Sequence, residues 1–391
     1  MNKNVFVLAA LGAAASAHAD VDVAAGFKIY GVLDQAYMRQ SVASANSTPK
    51  LYSNTGFFAA AATSRVGFKG DRVLTETMKG VIQFEQELTP DESTLMPSKN
   101  RMAFVGLDHK EYGAMRLGTL ETPAYVLFTT DVNGRVEYKP QLWRFLAASA
   151  TQDRANNAVK LTSPKFGPVT VDFMRGYSEV NAGGTTAPSN DFKSWGLNYQ
   201  EGQLSAKAVW DSLTNTAMSH ALPGEPNAGL ITYATDKTNG VTQNKTNMIA
   251  SSTSKPLQRA FVSVTYDMAA TKLNYIFAGA YTENKGQVLT NTIGIRVPMD
   301  KIALAISMGF GTYTNAAGNN GTATVAGKLS DTTLGAYYSF DKATSVYLLT
   351  SLGRNMPSVS TTAAQNGSTV GFTSDVNGET KTTAMGLRYN Y

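Results

Sequence analysis

The chain has 391 residues, a formal net charge of +5 and no cysteine. Without cysteine there is no disulfide, no thiol nucleophile and no thiolate metal site. The basic excess is too dilute over this length for a nucleic-acid footprint, which clusters Lys and Arg on one face.

The first residues read MNKNVFVLAALGAAASAHAD. A basic Lys3, an apolar run from Val5 to Ala15 and the small-x-small triplet Ala17-His18-Ala19 make a secretory signal peptide over residues 1–19. Residues 20–391 then form one domain with Asp20 as mature N-terminus. Past the signal only His109 and His220 remain, with no HExxH pattern and no His pair at metal-ligand spacing. No metal, cofactor or enzymatic constellation is expected. No later apolar run reaches the roughly 20 residues of a membrane helix.

From Phe27 onward the chain alternates. Phe27, Ile29, Gly31 and Leu33 share a face against Lys28, Tyr30, Val32 and Asp34. Ser64, Val66 and Phe68 oppose Arg65, Gly67 and Lys69; Ile82 and Phe84 oppose Gln83 and Glu85. Met102 and Phe104 oppose Arg101 and Ala103, and Met115 and Leu117 oppose Arg116. The pattern resumes with Val159 and Leu161 against Lys160, then Val171 and Phe173 against Asp172. It continues through Trp195, Trp210, Val262, Tyr275 and Ile293. It is clearest at Ile302, Leu304, Ile306, Met308 and Phe310 against Ala303, Ala305, Ser307, Gly309 and Gly311. Val346 to Leu352 is ambiguous in phase, and Met385, Leu387, Tyr389 and Tyr391 close the series. About sixteen such segments in register predict an all-β chain with about 16 strands.

The connectors alternate between short turns, such as Glu201-Gly202, and long polar stretches, such as Thr214 to Pro256. Transmembrane antiparallel β-barrels have this asymmetry, with tight turns at one end and long loops at the other. The second face carries Lys28, Asp34, Arg65, Glu85, Arg101, Arg116, Lys160, Asp172, Arg259, Arg296 and Arg388. So many charges cannot line a dry core but can line water. Tyr199, Trp210, Tyr266, Tyr281, Tyr313, Tyr338 and Tyr389 near strand ends suit aromatic girdles.

One stretch breaks the alternation. Residues 119–156 keep Tyr125, Leu127, Phe128, Leu142, Trp143 and Phe145, together with Glu121, Asp131, Arg135, Glu137, Arg144, Asp153 and Arg154. A loop this long is uncommon and usually functional. Its apolar content predicts that it folds into the lumen as a constriction loop.

Six pieces carry a family resemblance: Lys28-Ile-Tyr-Gly-Val-Leu-Asp34, Ser64-Arg-Val-Gly-Phe-Lys-Gly70, Arg101-Met-Ala-Phe-Val-Gly-Leu107, Met115-Arg-Leu-Gly118 before the long loop, the stretch from Asn157 to Gly167, and the terminal Met385-Gly-Leu-Arg-Tyr-Asn-Tyr391. Over the whole mature chain the sequence resembles the general trimeric porins of Gram-negative outer membranes. The chain departs from the family in ending on Tyr391 instead of Phe. It also has Leu120-Glu-Thr-Pro-Ala124 where relatives start the third loop with Pro-Glu-Phe-Gly-Gly.

The resemblance implies a passive, water-filled channel for ions and small hydrophilic solutes, weakly anion-selective, assembled as a homotrimer. Its surroundings would be outer-membrane lipid and lipopolysaccharide. A solute-selective channel for organic anions is the alternative; a barrel enzyme and a plugged adhesive barrel lack supporting residues. The resemblance also implies a basic wall of Arg65, Arg101, Lys160 and Arg116, facing loop residues Glu121, Asp131, Arg135 and Glu137. Opposed charges across a narrow gap bias ion selectivity. Arg296 is expected on the wall away from the loop. Gly31, small and outward, is expected to let neighbouring barrels approach.

Overall fold

The computed structural model describes residues 21–24, 26–42, 45–46, 50–52, 62–90, 100–133, 154–177, 191–214, 257–268, 270–282, 286–315, 325–354, 360–362, 369–371 and 379–391. The signal segment 1–19 lies outside them. The first strands are β1 (Phe27–Val42), β2 (Arg65–Val73), β3 (Met78–Glu87), β4 (Asn100–His109) and β5 (Gly113–Glu121). A helix α1 (Pro123–Phe128) follows, then β6 (Arg154–Thr162), β7 (Val169–Gly176), β8 (Asp191–Glu201) and β9 (Leu204–Thr214). The remainder are β10 (Leu257–Met268), β11 (Thr271–Thr282), β12 (Gly286–Met299), β13 (Ile302–Asn315), β14 (Val325–Ser339), β15 (Thr344–Arg354) and β16 (Glu379–Asn390).

Each of these sixteen pairs antiparallel with the next, and β16 pairs back onto β1. The ladder of these sixteen strands therefore closes, which leaves none of them as an unpaired edge. Tyr391 completes the seam: its N–H donates to the Gly31 carbonyl at 3.1 Å, and the Gly31 N–H donates to its carbonyl at 2.8 Å.

Connections after even-numbered strands are short: 74–77, 110–112, 163–168, 202–203, 269–270, 300–301 and 340–343. Those after odd-numbered strands lie at the other end and include 43–64, 122–153 and 215–256. Gly113 shows why one tight turn needs glycine. Its φ is +88°, and a Cβ there would lie 2.1 Å from the Thr162 carbonyl oxygen.

The outward face is apolar and the inward face polar, as the alternation predicts. On β13, Ile302, Leu304, Met308 and Phe310 are exposed on the outside while Ala303, Ala305 and Ser307 are buried on the inside. Trp210, Tyr266, Tyr281, Tyr338 and Tyr389 are likewise exposed; the side chain of Tyr313 lies outside the described set. The ambiguous phase of Val346 to Leu352 has a local cause. Tyr347 and Leu349 are large and apolar yet buried on the inner wall. The Tyr347 hydroxyl donates to Asp34 Oδ1 at 2.6 Å, which is what holds the ring inside.

Phe104 corrects the alternation reading. It pairs in register with Gln83 and Gly118 and faces the lumen, where the Arg116 guanidinium lies 5.7 Å from its ring centre. The register shifts between Phe84 and Gln86, so Arg101, three residues before Phe104, also turns inward. A bulge re-aims one side chain without moving the rest of the strand. A strict period of two cannot contain both residues on one face.

Gly31 is also corrected. A Cβ at this position would lie 2.2 Å from Cζ of Tyr391, so the space belongs to the chain's own terminal ring and not to a neighbouring barrel.

Candidate functional site

The chain leaves β5 through Thr122, whose Oγ1 accepts the Tyr125 N–H at 3.1 Å and caps α1. Pro123 starts the helix at a position where its missing N–H costs nothing. The helix stops within two turns because hydroxyls compete for its carbonyls. Thr129 Oγ1 donates to the Val126 carbonyl at 2.7 Å, and Thr130 Oγ1 to that of Leu127 at 2.8 Å. Asp131 then accepts the Asn133 N–H on Oδ1 at 2.9 Å.

This segment lies against the inner wall. Phe128 meets Phe261 of β10 edge-on, with ring centres 5.0 Å apart. Lys207 of β9 donates to the Val126 carbonyl at 3.4 Å, and Asn274 of β11 to Thr130 Oγ1 at 3.4 Å. Arg296 of β12 donates to the Val132 carbonyl at 3.4 Å. Asn133 donates to Ser307 of β13 at 2.7 Å and accepts from the Tyr337 hydroxyl of β14 at 3.0 Å. Successive contacts therefore fall on successive strands from β9 to β14. Close to the helix, Asp211 and Arg259 form a fully buried ion pair at 2.7 Å. Arg296 thus touches the loop segment, against the expectation that it stands apart. Gly294, on the same strand, leaves room for Val132: a Cβ there would lie 2.4 Å from Val132 Cγ2.

On β2 to β4 the wall is built around one carboxylate. Glu85 is buried and takes Arg65 Nε at 3.1 Å on Oε2, while Arg101 Nε binds Oε1. The Tyr30 hydroxyl donates to Oε2 at 3.1 Å and accepts from Gln83 Nε2 at 2.6 Å. Arg65 also donates to the Thr63 carbonyl at 3.0 Å. Arg154 acts electrostatically on the same carboxylate, pairs with Glu121 at 3.5 Å and lies 5.1 Å over the ring of Tyr125. A second cluster joins Lys160, Lys207 and Asp172. Lys160 Nζ stands 4.0 Å from Asp172, which also accepts from Thr162 at 2.6 Å and Asn198 at 3.0 Å.

The structure brings Arg65 and Arg101 together on Glu85 and puts Glu121 beside Arg154. Lys160 belongs to the neighbouring cluster. Arg116 is elsewhere: three residues from the short turn, its guanidinium reaches Asp108 and donates to the Leu107 and Met115 carbonyls at 3.1 Å. Asp131 is buried, and its Oδ1 accepts the Asn133 N–H of its own turn. Arg135 and Glu137 lie outside the described residues. Glu85 and Arg154, named among the charged residues, and Lys207 were not assigned to the constriction from sequence. Glu85 had a signal, since it shares the inward phase of Arg65 on the adjacent strand.

A sequence model of the Gram-negative porins matches residues 6–356. No curated protein matches the chain. Among solved structures, the chain is similar to an anion-selective porin from Comamonas acidovorans at 19% identity and a TM-score of 0.67, covering 93% of this chain and 99% of the other. It is similar to the outer-membrane protein OmpT of Vibrio cholerae in its trimer form at 14% identity and a TM-score of 0.60, with 93% and 99% covered. It is also similar to Salmonella typhi OmpF in complex with daunomycin at 13% identity and a TM-score of 0.61, with 95% and 100% covered. At such identities the structural likeness is one of fold.

Proposed function

Because the chain belongs to the Gram-negative porin family, we propose that the passage between the Glu85 cluster and the segment Thr122–Asn133 is the constriction of its channel, and that this constriction is weakly anion-selective. As a member of that family the protein is an outer-membrane channel for small solutes, and the fold is that of a channel. The family match favours a general pore over one dedicated to organic anions.

The observation that carries the reading is the sharing of one carboxylate by two guanidinium groups. Around it, five cations (Arg65, Arg101, Arg154, Lys160 and Lys207) accompany three carboxylates (Glu85, Glu121 and Asp172). The excess positive charge lies on the inner wall and is largely buried there, where bulk screening over about 8 Å is least effective. Rings of like charge beside a narrowing raise the local concentration of the opposite ion.

We further read the protein as a homotrimer exported by cleavage of residues 1–19, with lipopolysaccharide in its surroundings. The trimer reading is supported by the trimer form of a fold relative. The test of selectivity is the reversal potential of the reconstituted channel in a potassium chloride gradient. A potential on the anion side is expected, shifting toward cations in R65Q/R101Q. A double variant that inserts and leaves the potential unchanged overturns the assignment.

A further inference from the structure

One row of inward side chains crosses the barrel wall near its short-turn end. Register places Lys28 of β1 opposite Lys69 of β2, Lys69 opposite Gln83 of β3, and Gln83 opposite Phe104 of β4. The row therefore runs cation, cation, amide, aromatic ring. Neighbouring strands stand about 4.8 Å apart, so the Cα atoms of Lys69 and Phe104 are roughly 10 Å apart. Across from Phe104 on β5 stands Gly118, which has no side chain.

A cavity of about 400 Å³ lies over this row. Among the residues that line it are three cations, Lys28, Lys69 and Arg116, and one carboxylate, Asp71. Asp71 pairs with Lys79 at 3.1 Å. Val81 and Phe104 add an apolar part to the lining. Small-molecule pockets combine apolar surface with a few placed polar groups in this way.

The groups around the cavity are held in position. Lys69 Nζ lies 5.0 Å from the centre of the Tyr30 ring, a cation–π contact. Gln83 Nε2 donates to the Tyr30 hydroxyl at 2.6 Å. Arg116 pairs with Asp108 and donates to two backbone carbonyls, which fixes its guanidinium 5.7 Å from the centre of the Phe104 ring. Phe104 itself is half-buried on a wall that is otherwise polar. A second ring laid against it removes apolar surface from water and adds a ring–ring contact.

We infer that this cavity binds single-ring aromatic carboxylates, with the ring against Phe104 and the carboxylate at Lys28 and Lys69. The order of the row asks for both parts. A bare anion uses the lysines and leaves the phenyl ring wet; a neutral aromatic covers the ring and leaves the lysines unused. Binding in a pore must also be weak enough to allow release. The next inward pair along β2 and β3 is Gly67 with Glu85, about 7 Å further along the strands. A bound ring therefore stands beside the arginine pair on Glu85 and impedes ions passing it. The inference rests on the channel reading above and adds a solute class to it.

The test follows chloride current through the full-length channel in planar bilayers as benzoate is added. Partial, saturable block is expected, with half-block at roughly millimolar concentration for so small a ligand. Acetate, which lacks the ring, and benzamide, which lacks the charge, are each expected to need about tenfold more. K28Q/K69Q is expected to raise the half-blocking benzoate concentration roughly tenfold, and F104L roughly fivefold. Migration of the unheated variants on gels shows that they are folded, and the comparison of ligands on wild type decides the matter without them. Equal block by benzoate and acetate, or equal block of wild type and both variants, overturns the site. Loss of block in R65Q/R101Q but not in K28Q/K69Q would put the anion at the constriction and overturn it as well. Wild-type channels that conduct chloride and ignore benzoate overturn the site alone. A wild type that forms no channel overturns the porin reading, and the site with it.

Discussion

The ring of Tyr391 fills the space above Gly31: a Cβ at residue 31 would lie 2.2 Å from Cζ and 2.4 Å from the hydroxyl oxygen. The two residues also exchange both backbone hydrogen bonds, so the last residue is locked to the first strand at the point of closure. Gly31→Val forces the ring out. Overpacking of this kind costs about 1–3 kcal/mol. The expected outcome is a lower temperature for loss of the heat-modifiable form on gels. Tyr391→Phe is expected to behave like wild type and Tyr391→Ala to resemble the glycine variant.

Glu85 holds two arginines at once, so its replacement acts on stability and selectivity together. Glu85→Gln leaves Arg65 and Arg101 crowded with no anion between them. Removing one partner from a buried ion pair typically costs 3–5 kcal/mol; water in the lumen reduces this to about 2–3 kcal/mol. The variant is expected to unfold at lower denaturant and to move the reversal potential further toward anions. Movement toward cations would contradict the charge balance drawn above.

Loop position rests on close contacts that conservative substitutions reach. Gly294→Val collides with Val132, whose Cγ2 would be 2.4 Å from the new Cβ. Tyr337→Phe removes the hydroxyl that donates to the Asn133 carbonyl at 3.0 Å. The first is expected to change single-channel conductance by displacing the segment. The second is expected to lower the voltage at which the channel closes, because one tether of roughly 1 kcal/mol is lost. Arg296 contacts the same segment, so Arg296→Gln is expected to alter conductance as well.

The turn at Asp341 supplies a pH dependence outside the strands. The carboxylate accepts the N–H groups of Thr344 at 2.6 Å and Ala343 at 2.7 Å, and these bonds hold its pKa below the ordinary aspartate value. A carboxyl group with a lowered folded pKa stabilises the fold above its unfolded pKa, about 3.9, and the contribution is lost as pH falls through the folded value. Asp341→Asn is therefore expected to lower the unfolding temperature slightly at pH 7. Wild type and variant are expected to converge as pH falls through the lowered folded value. The measurement is thermal unfolding across that range.

The strand count, the closed barrel, the outward apolar face and the short-turn end were all legible in the sequence. They follow from a period of two and from turn residues, which act between neighbours in the chain. Arg65 and Arg101 were legible as lumen charges for the same reason. Partnership was not. That Glu85 binds both arginines, that Arg296 and Tyr337 hold the loop, and that Tyr391 fills the space at Gly31 depend on register between strands distant in sequence. The bulge beside Arg101 lets that residue turn inward on the same face as Phe104, and no local pattern announces a bulge. Tyr347 sits inside because Asp34, more than three hundred residues away, accepts its hydroxyl. Alternation assigns a side chain to a face; only the closed ladder decides which charges and rings meet there, because their meeting is set by the pairing of strands and not by their order.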